Sequence, residues 1–141
     1  MSLQVNFIDL AGNMRAGELI KQQKVFSYIL LCYSIASSNT FEDLDDWIKA
    51  VEENPKGSTT PLAIIGTKSD LSRMVKESHA YNLQKEINNE SSMPRRCSLV
   101  LETSAFEDYG SVRNMLQDVA TEIVKCEYFD SKRNDLERGS V

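Results

Sequence analysis

A chain of 141 residues has room for one domain with a core of useful size. At 41% hydrophobic and 26% charged residues it has the balance of an ordinary soluble globular protein. A formal net charge of −5, with basic pairs such as Arg95-Arg96 and Lys132-Arg133 scattered, argues against a surface built to neutralise nucleic-acid phosphates. The first residues lack the positive flank and long apolar stretch of a signal peptide, and the most apolar run, residues 28–33, is far too short to span a bilayer. The three cysteines, Cys32, Cys97 and Cys126, are odd in number and have no metal-ligand spacing, which points to a reducing, cytoplasmic compartment. No C-terminal cysteine offers a prenylation site, so no direct membrane anchor is expected.

In chain order, strand and helix patterns alternate. Residues 3–9 place Leu3, Val5 and Phe7 at every second position, the pattern of a strand with one face better buried. A turn at Leu10 to Asn13 leads into a helix over residues 14–24, weakened by Gly17. Residues 27–35 read as the strongest strand. Ser37 to Thr40 then supply helix-capping side chains, with Glu42 and Asp43 placed as first-turn carboxylates. In that helix Phe41, Leu44, Ile48 and Val51 form an apolar stripe with Trp47 beside it. The apolar run Leu62 to Ile65, bounded by Pro61 and Gly66, predicts a strand buried on both faces. A helix over 78–89, a linker, a short strand over 98–101 and a helix over 109–127 follow, with a polar, frayed tail at 128–141. The order β-α-β-α-β-α-β-α implies an α/β fold with a mainly parallel sheet and helices on both faces.

Asp9, the stretch Thr67-Lys68-Ser69-Asp70 and the stretch Glu102-Thr103-Ser104-Ala105 all fall at or just past the carboxyl ends of predicted strands. In one parallel sheet such loops gather along a single edge, where ligands bind. Taken singly, each has a plainer reading. Asp9 also suits a turn or cap, Lys68 and Asp70 an ion pair, and residues 102–105 a cap for the last helix. The acidic group Glu42, Asp43, Asp45 and Asp46 reads as a solvated helix start, His79 as a surface residue, and Cys32 and Trp47 as packing residues.

With their order, spacing and strand context, Asp9-Leu10-Ala11-Gly12, Thr67-Lys68-Ser69-Asp70 and Glu102-Thr103-Ser104-Ala105 resemble the Asp-x-x-Gly, Asn/Thr-Lys-x-Asp and Glu-Thr-Ser-Ala motifs of Ras-superfamily small GTPases, over about residues 3–125. Residues 40–47 are similar to the corresponding helix of Rab-like members, and residues 12–17 look like an atypical Rab branch. The resemblance implies GTP or GDP with Mg²⁺ as ligands, and effector or regulator proteins as partners. It puts Gly12, Thr67, Lys68, Asp70, Leu71, Ser104 and Ala105 at the nucleotide and Asp9 in the outer shell of the metal. Asp70 would accept hydrogen bonds from the guanine N1–H and exocyclic amine; adenine, with an acceptor at N1 and no amine at C2, would leave that carboxylate unmatched. The Lys68 stem would lie along the base, and the Ala105 N–H would donate to the guanine O6. Asn13 takes the place of the water-orienting glutamine in the phosphoryl-transfer chemistry for which small GTPases are a standard worked case. It is one methylene shorter, and a misplacement of about 1 Å can cost on the order of 10²-fold in rate.

One motif of the resembled family is missing. None of the six glycines opens a Gly-x-x-x-x-Gly-Lys run ending in Ser or Thr, the loop that cradles the phosphates and supplies a hydroxyl to Mg²⁺. Residues 1–127 therefore resemble a truncated P-loop NTPase domain, without the family's first strand, first helix, switch I and second strand. The lost first strand belongs between residues 3–9 and 27–35, and its loss leaves backbone groups without partners. Residues 27–125 are expected to be the stable part. The functional expectation is a Rab-like, guanine-nucleotide-binding small GTPase impaired by the missing loop; a pseudo-GTPase interaction module and a non-functional fragment are the alternatives.

Overall fold

The computed structural model describes residues 2–10, 26–54, 59–93, 95–106 and 109–139. Its elements alternate along the chain: β1 (Ile29–Ser34), α1 (Ser38–Glu42), α2 (Leu44–Glu53), β2 (Leu62–Thr67), α3 (Glu77–Glu90), β3 (Cys97–Glu102) and α4 (Tyr109–Gly139). The three strands form one parallel sheet in the order β1-β2-β3. β2 is central, and this accounts for its unbroken apolar sequence: paired on both edges and covered on both faces, it buries every residue from Leu62 to Gly66. β1 pairs with it from Ile29 opposite Leu62 to Ser34 opposite Thr67. On the other side the register slips by one residue between Leu62 and Ala63, so Ser98 is the extra residue of a bulge in β3.

The core lies mainly on one face. Leu31, Tyr33, Leu62 and Ile64 from alternate positions of β1 and β2 pack with Leu44 of α2 and with Ala80, Leu83 and Ile87 of α3. The three α3 residues are spaced i, i+3 and i+7, which puts them on one helical stripe. Gln84 and Asn88 pin that helix to the sheet, since Nε2 of Gln84 and Nδ2 of Asn88 donate to the Cys97 carbonyl and Oδ1 of Asn88 accepts from the Cys97 N–H at 2.8 Å. α4 covers the other face. There the half-buried Tyr28 hydroxyl meets Ser98 at 3.4 Å and is pushed up to about 12, chiefly by burial, with Glu122 of α4 close enough to add to the effect.

Several sequence expectations are revised. The capped helix is divided at Asp43 into α1 and α2, so the first-turn carboxylates are Asp45 and Asp46 of α2 rather than Glu42 and Asp43. Thr40 lies inside α1, and its hydroxyl accepts from the Ser34 N–H at 2.9 Å and donates to the Ser37 carbonyl at 2.8 Å. The strand expected over 3–9 does not form: residues 2–9 are exposed and without regular structure, and only Leu10 touches a core cluster, that of Ala50 and Val51. Leu3, Val5 and Phe7 have the alternation of a strand but pair with no strand among the described residues. The Cys32 side chain is exposed, although enough of the chain surrounds its thiol for burial to be what raises it most. α4 continues to Gly139, past the expected start of a frayed tail, with ion pairs Lys125–Glu122 and Arg133–Asp130 one turn apart along it. Arg96, read as part of a linker, is 1% exposed, with Nε donating to the Thr60 carbonyl and a 3.6 Å ion pair to Glu52. The turn and helix expected over 10–24 fall, from residue 11 on, outside the described residues.

Candidate functional site

The strands end in step, with Ser34 opposite Thr67 and Gly66 opposite Glu102, so the loops that follow them share one edge of the sheet. Two of these loops are tied together by backbone bonds. The Thr103 N–H donates to the Gly66 carbonyl at 2.8 Å, and the Ser69 N–H donates to the Thr103 carbonyl at 3.2 Å. Gly66 has to be a glycine here, because a Cβ would stand 2.9 Å from Ile35 Cγ2, 3.0 Å from the Tyr33 hydroxyl and 3.2 Å from Glu102 Cγ. Thr67 turns its hydroxyl inward to the Tyr33 carbonyl at 2.9 Å. The chain then reverses through a turn closed by the Leu71 N–H on the Lys68 carbonyl, with Lys68 in the left-handed region at φ 57°.

Within this frame Asp70 is half-buried, and one carboxylate oxygen accepts a 2.6 Å hydrogen bond from the hydroxyl of Ser104, itself 2% exposed. Its second oxygen has no hydrogen-bond partner among the described residues. Lys68 is exposed and makes no ion pair, so it is not the simple partner of Asp70 that a salt bridge would require. Ala105 is exposed, and its N–H has no partner among the described residues. The plainer reading of residues 102–105 holds in part as well: Ser111 in the first turn of α4 joins the Thr103 hydroxyl at 2.8 Å and accepts from the Ser104 N–H at 3.3 Å. The site edge thus presents a fixed carboxylate acceptor, an open amide donor and an exposed lysine stem.

Asp9, by contrast, is exposed in the irregular segment 2–9. It stands near Cys32, whose thiol is raised first by burial and then by this carboxylate. Gly12 and Asn13 lie outside the described residues. Among the described residues no three His, Cys, Asp or Glu side chains cluster to hold a metal.

Sequence reasoning missed Arg73. Its guanidinium grips Glu102 through two hydrogen bonds, 2.8 and 2.7 Å, and donates at 2.9 Å to the Val75 carbonyl. One side chain thereby clamps the loop after β2 to the end of β3. Opposite charges on two loops expected to converge were the available signal, but partner choice among several acidic residues needed coordinates. Thr103 and Ser111 were missed for the same reason. A groove of about 280 Å³ along α4, lined by Tyr109, Val112, Leu116 and Ala120 among others, includes none of the loop residues.

The parallel sheet, with the loops after β2 and β3 tied together at its carboxyl edge, defines an α/β protein of the class whose ligands bind along that edge. The sequence profile of the Ras family matches residues 1–125, and the chain belongs to that family. It is 36% identical over 74 residues to the Ras-related protein Rab-28 of Caenorhabditis elegans, covering 50% of this chain and 30% of that protein. It is 27% identical over 115 residues to the Rho-related protein racI of Dictyostelium discoideum, covering 76% of this chain and 55% of that one. The chain therefore spans between about a third and about half of the length of these relatives.

Proposed function

We infer that this chain is a Rab-like small-GTPase relative that carries the base-reading half of a guanine-nucleotide site. The observation that carries the reading is Asp70, held by Ser104 at 2.6 Å with its other oxygen open. That carboxylate would accept from the guanine N1–H and amine while the Ala105 N–H donates to O6 and the Lys68 stem covers the base. Thr67, Leu71 and the Arg73–Glu102 clamp keep the two loops at a fixed separation, so little ordering remains to be done on binding. Family membership supports the guanine nucleotide and, with it, regulator or effector proteins as partners.

The phosphate half has no comparable support. No Gly-Lys-Ser or Gly-Lys-Thr loop is present in the sequence, and Asp9 is the sole family metal-motif residue among those described. Mg²⁺, when bound in such proteins, neutralises charge between the phosphates. Here Asp9 and the Gly12 N–H are the groups that would face it and the γ-phosphate. With Asn13 in place of a glutamine, any hydrolysis is expected to be slow. The three cysteines are free, in keeping with a cytoplasmic setting, and no described helix is long and apolar enough to cross a membrane.

Titration with fluorescent GDP and GTP, with and without Mg²⁺, tests this reading. Weak binding that prefers guanine over adenine nucleotides and ignores Mg²⁺ is the expected result. Nanomolar, Mg²⁺-dependent binding would establish a working switch instead, and no guanine preference at all would leave a pseudo-GTPase interaction module. Asp70→Asn replaces an acceptor with an amide donor facing the N1–H, and should abolish the preference for guanine over adenine by removing about 2–3 kcal/mol of discrimination.

A further inference from the structure

Of the large apolar side chains on the described surface, Phe106 is the most exposed, at 89%. Its ring makes no aromatic or cation contact among the described residues and belongs to neither core cluster. Its place in the loop gives that exposure a meaning. Phe106 follows Ala105, whose N–H has no partner among the described residues, and Ala105 follows Ser104, which holds Asp70 at 2.6 Å. The loop is anchored just before the ring, where the Thr103 hydroxyl meets Ser111 Oγ at 2.8 Å and the Ser104 N–H donates to it at 3.3 Å. Across the edge the same order recurs. Asp70 is followed by Leu71, 48% exposed, whose N–H closes its turn onto the Lys68 carbonyl. Each of the two polar groups placed to meet the edge of a base is therefore followed by a large apolar side chain in solvent.

Hydrogen bonding and stacking use different parts of a purine. The bonds lie in the ring plane and engage its edge, whereas its flat faces favour an aromatic surface. One ligand with a polar edge and stacking faces satisfies the Asp70 carboxylate, the Ala105 N–H and the Phe106 ring together. Given the base-reading role inferred for Asp70 and Ala105, on which this rests, we propose that Phe106 stacks on a face of the purine that those two groups hold by its edge. The reach is short. Consecutive Cα atoms are about 3.8 Å apart and an N–H···O bond spans about 2.9 Å, so a base on the Ala105 N–H lies within range of the next side chain. Because every base has a π-face, the stack adds affinity without choosing the base, and the choice stays with Asp70.

Calorimetric titration of the 141-residue chain with GDP and with inosine diphosphate separates the two roles, since hypoxanthine keeps the N1–H and O6 of guanine and lacks its exocyclic amine. Phe106→Ala should weaken both ligands by the same factor, about 5- to 50-fold, the loss of one base–aromatic stack. Phe106→Trp should bind both at least as well as the native chain. Its new indole should be quenched as GDP saturates it, with the calorimetric dissociation constant, while the native chain, whose one tryptophan is Trp47, shows no such change. At so exposed a position the urea midpoint should stay where it is, so that lost binding is not lost folding. Unchanged affinity of Phe106→Ala for both ligands, a loss confined to GDP, or an unquenched Phe106→Trp indole would each overturn the proposal. A preference for GDP over inosine diphosphate surviving in such a variant would leave the Asp70 reading standing alone. Equal affinity of the native chain for the two ligands, with both weakened by Phe106→Ala, would keep the stack and remove the edge reading. Binding of neither ligand by the native chain would overturn both.

Discussion

Asp70 can read a base only if its carboxylate is held in place, and the Ser104 hydroxyl at 2.6 Å does the holding. Ser104→Ala should weaken guanine-nucleotide binding by about 3- to 10-fold and cost about 1 kcal/mol of stability, the worth of one hydrogen bond to a partly buried charge. Nucleotide titration and urea denaturation of the same variant measure the two separately. Gly66 is a harder constraint. A methyl group there meets Ile35, Tyr33 and Glu102 within 3.2 Å, and Ile35 and Tyr33 belong to the close-packed core. Gly66→Ala is expected to cost about 1–3 kcal/mol, read as a lower denaturation midpoint with an unchanged slope. The residue types of the site were legible from the spacing of Thr67 to Asp70 and Glu102 to Ala105. The Arg73–Glu102 clamp was not, because a charged pair is chosen by the fold from several acidic candidates.

At the scale of elements, the strength of the periodic signal decided what the sequence could reveal. Leu62 to Ile65 forms a strand because an unbroken apolar run can be satisfied only by pairing and burial on every side. Residues 3–9 carry an equally regular alternation and form none, since a strand exists only beside another strand. Hydrogen exchange distinguishes the two cases. The Leu31 amide, bonded within the sheet and in a side chain 5% exposed, should exchange orders of magnitude more slowly than that of Phe7, 65% exposed. Equal protection of the two amides in a monomer would show that the N-terminal segment joins the sheet. α4 illustrates the opposite error. Its polar C-terminal portion looked too hydrophilic for structure, yet helical backbone needs no burial where ion pairs and good helix formers extend an anchored helix.

For the molecule as a whole, burial of ionisable groups couples folding to alkaline pH. Cys97, 1% exposed, is pushed by desolvation from 9.0 to about 12, and Tyr28 from 10.0 to about 12. The unfolded chain loses these protons first, so it binds fewer protons than the native state in that range. Stability is then fully present below about pH 9 and declines as pH rises toward about 12, by roughly 1 kcal/mol per pH unit for each group. Urea midpoints measured across this range should fall, and Cys97→Ala should show a shallower decline. A flat profile would mean that neither group is withheld from solvent.

The sequence by itself determined the class of the molecule. Alternating strand and helix patterns implied a parallel α/β sheet, and three short motifs, two of them at strand ends, were enough to predict the Ras family to which the chain belongs. Those properties are local: periodicity and turn chemistry are written within a few residues of each other. Tertiary structure alone decided which residues hold which. It fixed Asp70 against Ser104, clamped two loops with Arg73, and buried Arg96 against Thr60 and Glu52. Each of these depends on contacts between segments distant in the chain, and a hydrogen-bonding group carries no mark in the sequence of whether its partner will be there.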